Sequence, residues 1–90
     1  MNDLFIEIPV WKRLDSKRAV KFNCIKNAAS GKYNVQSADF YYAKEAIKER
    51  EFQQQFVDLF IELPPEERVD WYNSIEEAIA AHEREFAKSC

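Results

Sequence analysis

The hydrophobic period of this chain changes near residue 42, and that change limits the folds available to it. Before this point apolar and polar residues alternate, as in the run from Val20 through Phe22 to Cys24. A period of two is typical of strands, and a period of about 3.6 is typical of helices. The helical spacing dominates after residue 42, in two sets: Phe52, Phe56, Leu59, Phe60 and Leu63, and then Ile75, Ala78, Ile79, His82 and Phe86. The order predicts an α+β fold with the sheet first and the helices after it.

Three strands are predicted in the first half, over residues 4–14, 19–27 and 32–41. Polar turns separate them, and the second turn holds Gly31, the only glycine of the chain, where a positive φ is expected. Because the turns are short, successive strands are expected to pair as an antiparallel meander. Pro9 has no amide hydrogen to donate, so the first strand is expected either to lie at an edge of the sheet there or to begin after Pro9.

Two main helices are predicted, over about 48–63 and 74–87. Pro64 and Pro65 end the first, and the pair Ser74 and Glu77 has the spacing of a capping box at the start of the second. We expect both helices to cover the same face of the sheet, the one with Val20 and Phe22, and to leave the other face in water. The predicted core contains Phe22, Val35, Phe56, Leu59, Phe60, Trp71, Ile75 and Ile79.

The length of the chain indicates one domain over residues 1–90, because 90 residues supply only one core. No apolar run is long enough to span a membrane, and the first residues lack the features of a signal peptide. Two cysteines are too few for a disulfide framework. We therefore expect a cytoplasmic protein.

No motif for catalysis, cofactor binding or metal binding is present, which favours a protein that is not an enzyme and needs no cofactor. His82 is the only histidine and lies on an apolar helical stripe. A dyad of His82 with Cys24 has no support from spacing, and one histidine with two distant cysteines does not make a zinc site. A single glycine also rules out a glycine-rich phosphate loop.

The charge is divided unevenly along the chain. Residues 1–42 hold seven Lys or Arg and four Asp or Glu, whereas residues 43–90 hold six and twelve. An acidic helical surface attracts a basic partner. We therefore predict a small module that binds another protein, as an accessory or inhibitor, through the acidic residues Glu66, Glu67, Asp70, Glu76, Glu77 and Glu83.

Nucleic-acid binding is the alternative, because the first turn of the sheet is basic. Cations there are able to hold phosphates, and amide side chains on the open sheet face are able to reach base edges. The residues expected to take part are Arg13, Lys17, Arg18, Lys21, Asn23, Asn34 and Gln36. The two edges of a three-stranded sheet leave the oligomeric state open between a monomer and a weak homodimer.

Overall fold

The computed structural model describes residues 3–45, 48–63, 65 and 70–88. The strands are β1 (Phe5–Arg13), β2 (Arg18–Asn27) and β3 (Tyr33–Tyr42), and the helices are α1 (Glu49–Glu62) and α2 (Ile75–Lys88). The predicted fold class is confirmed, since an antiparallel sheet in the order β1-β2-β3 precedes two helices. Each of these elements begins and ends within one residue of its predicted bounds. None of the helices among the described residues is long and apolar enough to cross a membrane.

Short turns set the register of the sheet. Gly31 has a φ of 73°, so the prediction of a positive φ in the second turn is confirmed. Between β2 and β3 the register shifts, with Asn23 opposite Ser37 and Cys24 opposite Val35. Gln36 is therefore an additional residue on β3. Such a bulge lets two successive side chains of one strand point towards the same face.

The apolar face of the sheet is covered by α2. Val20, Phe22, Cys24 and Val35 are buried there together with Ala78 of the helix. The predictions for Phe22 and Val35 are confirmed. Ile75 and Ile79 are half-buried and pack against this cluster, together with Ile8, Val10, Tyr33, Ala38 and Tyr72.

The opposite face of the sheet is covered by α1, so the expectation that both helices share one face is wrong. The side-chain amide of Gln36 donates a hydrogen bond of 2.9 Å to the carbonyl oxygen of Phe56. The rings of Tyr41 and Phe52 meet edge to face with centroids 5.3 Å apart. Because α1 lies on this face, the half-buried residues Phe56, Leu59 and Phe60 do not join the α2-side cluster.

The polar sheet face, expected to be open, is buried. Lys21 is 6% exposed and Asn23 3%, Asn34 7% and Gln36 8%. Burial is tolerated because most of these polar atoms have partners, although Oε1 of Gln36 is buried without one among the described residues. The side-chain amide of Asn23, for example, donates to Ser37 Oγ and to Asp39 Oδ2, both at 2.9 Å.

Candidate functional site

A cleft of about 400 Å³ lies at the end of the sheet where the β1–β2 turn meets the segment after β3. Its walls combine aromatic and cationic side chains, the types that form strong contacts at binding surfaces. We call it the basic–aromatic cleft. Its lining residues are Trp11, Arg13, Asp15, Ser16, Lys17, Arg18, Ala19, Tyr41, Tyr42, Ala43, Lys44 and Glu45.

Backbone hydrogen bonds hold the two walls of the basic–aromatic cleft together. In the β1–β2 turn the amide of Leu14 donates to the carbonyl of Arg18 at 3.0 Å. The amide of Ala43 donates to the carbonyl of Lys17 at 2.7 Å, which joins the segment after β3 to that turn. Lys44 follows with a φ of 67°, a left-handed backbone conformation that residues other than glycine seldom adopt.

Asp15 organises the cationic wall of the cleft. Its Oδ1 accepts hydrogen bonds from the backbone amides of Lys17, at 2.8 Å, and Arg18, at 2.9 Å. Its Oδ2 accepts a hydrogen bond from Nε of Arg18 at 2.9 Å, and Nη2 of the same guanidinium lies 2.9 Å from that oxygen in an ion pair. The amide of Lys17, followed by the side chain of Arg18, lowers the pKa of Asp15 below its ordinary value. The carboxylate therefore stays ionised and keeps Arg18 in place at the cleft.

The floor of the cleft connects to a buried lysine through aromatic rings. Trp11 and Tyr41 meet with ring centroids 4.8 Å apart. The ammonium of Lys21 lies 5.8 Å from the Trp11 ring and 5.7 Å from the Tyr41 ring, within cation–π range. Lys21 Nζ also lies 3.5 Å from Oε1 of Glu49 on α1, and the Tyr41 hydroxyl donates to Oε2 of Glu49 at 3.1 Å.

Lys21 keeps its positive charge although it is buried. Burial opposes that charge, but the Tyr41 hydroxyl and the Glu49 carboxylate outweigh it, so the pKa of Lys21 is raised. Burial also raises the pKa of Tyr41, which leaves the phenol neutral at neutral pH. Lys21 thus contributes a fixed positive charge behind the aromatic floor. It is not a free contact for a ligand.

The basic–aromatic cleft is a locally positive surface on a negative chain. Four cationic and two acidic side chains line it, and one of the acids already binds Arg18. The side chains of Trp11 and Tyr42 are exposed by 56% and 49%. The cleft can therefore offer apolar contact area and positive charge to the same ligand.

The structure divides the residues predicted to bind nucleic acid into two groups. Arg13, Lys17 and Arg18 are exposed and line the basic–aromatic cleft. The remaining four, Lys21, Asn23, Asn34 and Gln36, are buried on the α1 side of the sheet, so the expectation that they face solvent is wrong.

Sequence reasoning missed Tyr42 and Lys44 as residues of the site. A signal for them was available. In an antiparallel meander of three strands, the chain that follows β3 emerges beside the β1–β2 turn. Tyr42 and Lys44 hold those positions, next to Lys17 and Arg18.

Four of the six residues predicted to form an acidic surface lie within the described part of the chain. Glu66 and Glu67 lie outside the described residues. Asp70, Glu76, Glu77 and Glu83 are exposed. Glu83 binds Lys12 of β1 at 2.8 Å, and the backbone amide of Glu77 donates to Ser74 Oγ at 3.1 Å. The latter bond confirms the predicted N-cap of α2.

His82 and Cys24 lie in or beside the core. The His82 ring meets the Phe22 ring edge to face with centroids 6.1 Å apart. Cys24 is fully buried, and burial raises the pKa of its thiol to about 11. A protonated thiol without solvent access is a poor nucleophile. Among the described residues, no three His, Cys, Asp or Glu side chains are grouped so as to hold a metal ion.

Comparison of the chain with protein-family models, with curated proteins and with solved structures finds no match.

Proposed function

We propose that this protein is a non-enzymatic binding module that holds an acidic segment of a partner protein in the basic–aromatic cleft. The observation that supports this most is the composition of the cleft. Tryptophan, tyrosine and arginine are the residue types enriched at the energetic centres of protein interfaces. All three line this cleft, in Trp11, Tyr41, Tyr42, Arg13 and Arg18.

The charge of the cleft selects the kind of partner. Lys17, Arg18 and Lys44 line the cleft together with Tyr42, which is 49% exposed. A partner segment with carboxylates beside an apolar or aromatic residue satisfies both parts of this surface. Charge complementarity of this type raises the rate of association and weakens as salt is added.

The acidic residues are a weaker basis for protein binding. Glu83 is already paired with Lys12, and Glu76 and Glu77 occupy the first turn of α2, where negative charge favours the helix itself. These intramolecular roles explain why the acidic residues lie where they do, so a binding partner is not needed to explain their positions. They repel an acidic segment and so help to direct it towards the cleft.

Single-stranded nucleic acid is the second candidate ligand of the same cleft. Cations beside exposed aromatic rings suit phosphates and stacked bases, and Arg13, Lys17 and Arg18 supply the cations. The net charge of −3 and the acidic second half of the chain oppose this reading, because they repel a phosphate backbone. The protein ligand is therefore preferred.

A titration with model ligands tests both candidates. The full chain is mixed with a random glutamate–tyrosine copolymer, with polyglutamate or with single-stranded oligothymidine, and binding is followed by fluorescence anisotropy. The test variant is Lys17→Glu with Lys44→Glu, because both side chains are exposed and line the cleft. The control is Lys32→Glu, an exposed lysine before β3 at the opposite end of the sheet.

We expect the glutamate–tyrosine copolymer to bind more tightly than either other probe, and the Lys17→Glu, Lys44→Glu variant to lose that binding while Lys32→Glu keeps it. Tighter binding of oligothymidine with the same loss would favour the nucleic-acid candidate. If the Lys17→Glu, Lys44→Glu variant binds all three probes as the unchanged chain does, the cleft is not the binding surface and the proposal fails.

A further inference from the structure

Within the described part of the chain, no strand pairs with the outer edge of β1, and this edge carries several apolar side chains. Leu4 is 76% exposed, Ile6 49%, Trp11 56% and Leu14 38%, and all four lie on β1 or directly beside it. An exposed edge with apolar side chains is a template for pairing with another strand. At the other edge of the sheet, Tyr33 and Tyr72 exchange two backbone hydrogen bonds, which occupy the start of β3.

The backbone groups that β1 offers follow from its pairing with β2. The carbonyl of Leu4 accepts the amide of Ala28, and the amide of Leu14 donates to the carbonyl of Arg18. Even-numbered residues of β1 therefore bond towards β2, and odd-numbered residues point their backbone groups outward. Pro9 is odd-numbered, so its missing amide hydrogen falls on the outer edge, where a ladder tolerates proline.

Glu7 and Arg13 are opposite charges on this outer edge. Both side chains are exposed, and neither has a hydrogen bond or an ion pair within the described part of the chain. They are six positions apart on the strand and share the α1 side of the sheet with Trp11. A second strand that places a cation opposite Glu7 and an anion opposite Arg13 complements both.

We propose that β1 binds β1 of a second copy of this chain, antiparallel, with Val10 opposite Val10. In this register Glu7 of each copy lies opposite Arg13 of the other, which forms two ion pairs. Ile6 lies opposite Leu14 on the α2 side of the sheet, and Pro9 lies opposite Trp11 on the α1 side. Ile6, Trp11 and Leu14 of each copy thereby lie against residues of the other, and the two sheets become one of six strands.

This register is favoured over its neighbours by charge and by hydrogen bonding. A shift that places Pro9 opposite Pro9 puts the two residues without an amide hydrogen together at the centre, and it brings Glu7 opposite Trp11. A shift that places Ile8 opposite Ile8 brings Glu7 opposite Pro9. Only the register centred on Val10 pairs Glu7 with Arg13. Since cross-strand pairs of opposite charge stabilise a sheet and like charges destabilise it, charge selects this register.

Charge reversal at the two positions provides a specific test. Glu7→Arg alone places arginine opposite Arg13, and Arg13→Glu alone places glutamate opposite Glu7. Each single variant is expected to raise the dimer dissociation constant at least about tenfold. A mixture of the two single variants restores both ion pairs in a heterodimer. The double variant Glu7→Arg, Arg13→Glu restores them in a homodimer.

The assay is sedimentation velocity of the full chain under reducing conditions, from micromolar to high micromolar concentration. Circular dichroism of each variant verifies that it is folded, and Lys32→Glu serves as a charge-reversal control away from β1. We expect concentration-dependent dimers for the unchanged chain, the Lys32→Glu control, the double variant and the mixture, and monomers for each single variant. The proposal is overturned if the unchanged chain stays monomeric, or if folded single variants dimerise as well as the unchanged chain. It also fails if their mixture does not associate.

Discussion

The two faces of the sheet should differ in how much they contribute to stability, and a matched pair of substitutions measures the difference. Phe22 is 4% exposed, within the cluster beneath α2, whereas Phe56 on α1 is half-buried over a polar face. Replacing each with alanine removes the same atoms. The environment of the ring is then the main variable.

The expected costs follow from burial. A fully buried phenylalanine costs about 3–5 kcal/mol of unfolding free energy when truncated to alanine, because transfer and cavity terms add. Phe22→Ala should fall in that range. Phe56 is only half-buried, so less apolar surface returns to water and less of a cavity forms when the ring is removed, and Phe56→Ala should cost roughly half as much.

These costs are large relative to the stability of a chain of this size. An unfolding free energy of about 0.05–0.15 kcal/mol per residue corresponds to roughly 5–14 kcal/mol for a chain of 90 residues. Phe22→Ala should therefore leave the protein near its unfolding threshold, whereas Phe56→Ala should leave a clear folded baseline. Urea unfolding followed by circular dichroism gives both free energies, with the slope of the transition as a check on the unfolded state.

Equal costs for the two substitutions, or a larger cost for Phe56→Ala, would refute the argument. Either result would mean that α1 covers a second core as extensive as the one beneath α2. A Phe56→Ala variant with a broadened, two-step transition would also contradict it, because the estimate assumes one cooperative unit.

Three further results are expected. Ser74→Ala removes the hydrogen bond from the amide of Glu77 and should lower the unfolding free energy by about 1 kcal/mol, measured by urea unfolding. The Cys24 thiol, with its pKa raised to about 11, should react with a thiol reagent at neutral pH only at the rate of unfolding. The pKa of Asp15 is lowered in the folded chain, so the ionised carboxylate should stabilise the fold at neutral pH, and this stabilisation should be lost as the pH falls through the lowered pKa. Acid titrations of the unfolding free energy measure this loss, which should be absent from the Asp15→Asn variant.

The strands, the helices and the α2-side core were predictable because each depends on local pattern. Alternation through Val20, Phe22 and Cys24 identifies both β2 and its apolar face. Proline after α1 and serine before α2 mark helix ends through chemistry that acts within a few residues. No contact between distant segments is needed to reach these conclusions.

The side of the sheet that α1 covers was not predictable in the same way. Polar side chains at alternate positions indicate a solvent-exposed face only if nothing else satisfies their hydrogen bonds. Here the polar side chains form hydrogen bonds with one another and with α1. Asn23 donates to Ser37 and Asp39, and Gln36 donates to the backbone of α1. Those partners lie 14 or more residues away in sequence, and the register shift beside Gln36 changes which face its side chain meets.

One residue on the polar face of β2 argued against the prediction that this face is open to solvent. Ile25 alternates with the polar side chains of β2 and is 1% exposed, the burial expected for a core position. An isoleucine at the end of a polar alternation indicates that the face is partly apolar and needs a cover. The four residues of the predicted apolar stripe within α1, Phe52, Phe56, Leu59 and Phe60, supply this cover only if the helix reaches back across the sheet. The cleft follows from this placement, because α1 on the polar face brings Glu49 to Lys21 and Tyr41 and so fixes the floor on which Trp11 is displayed.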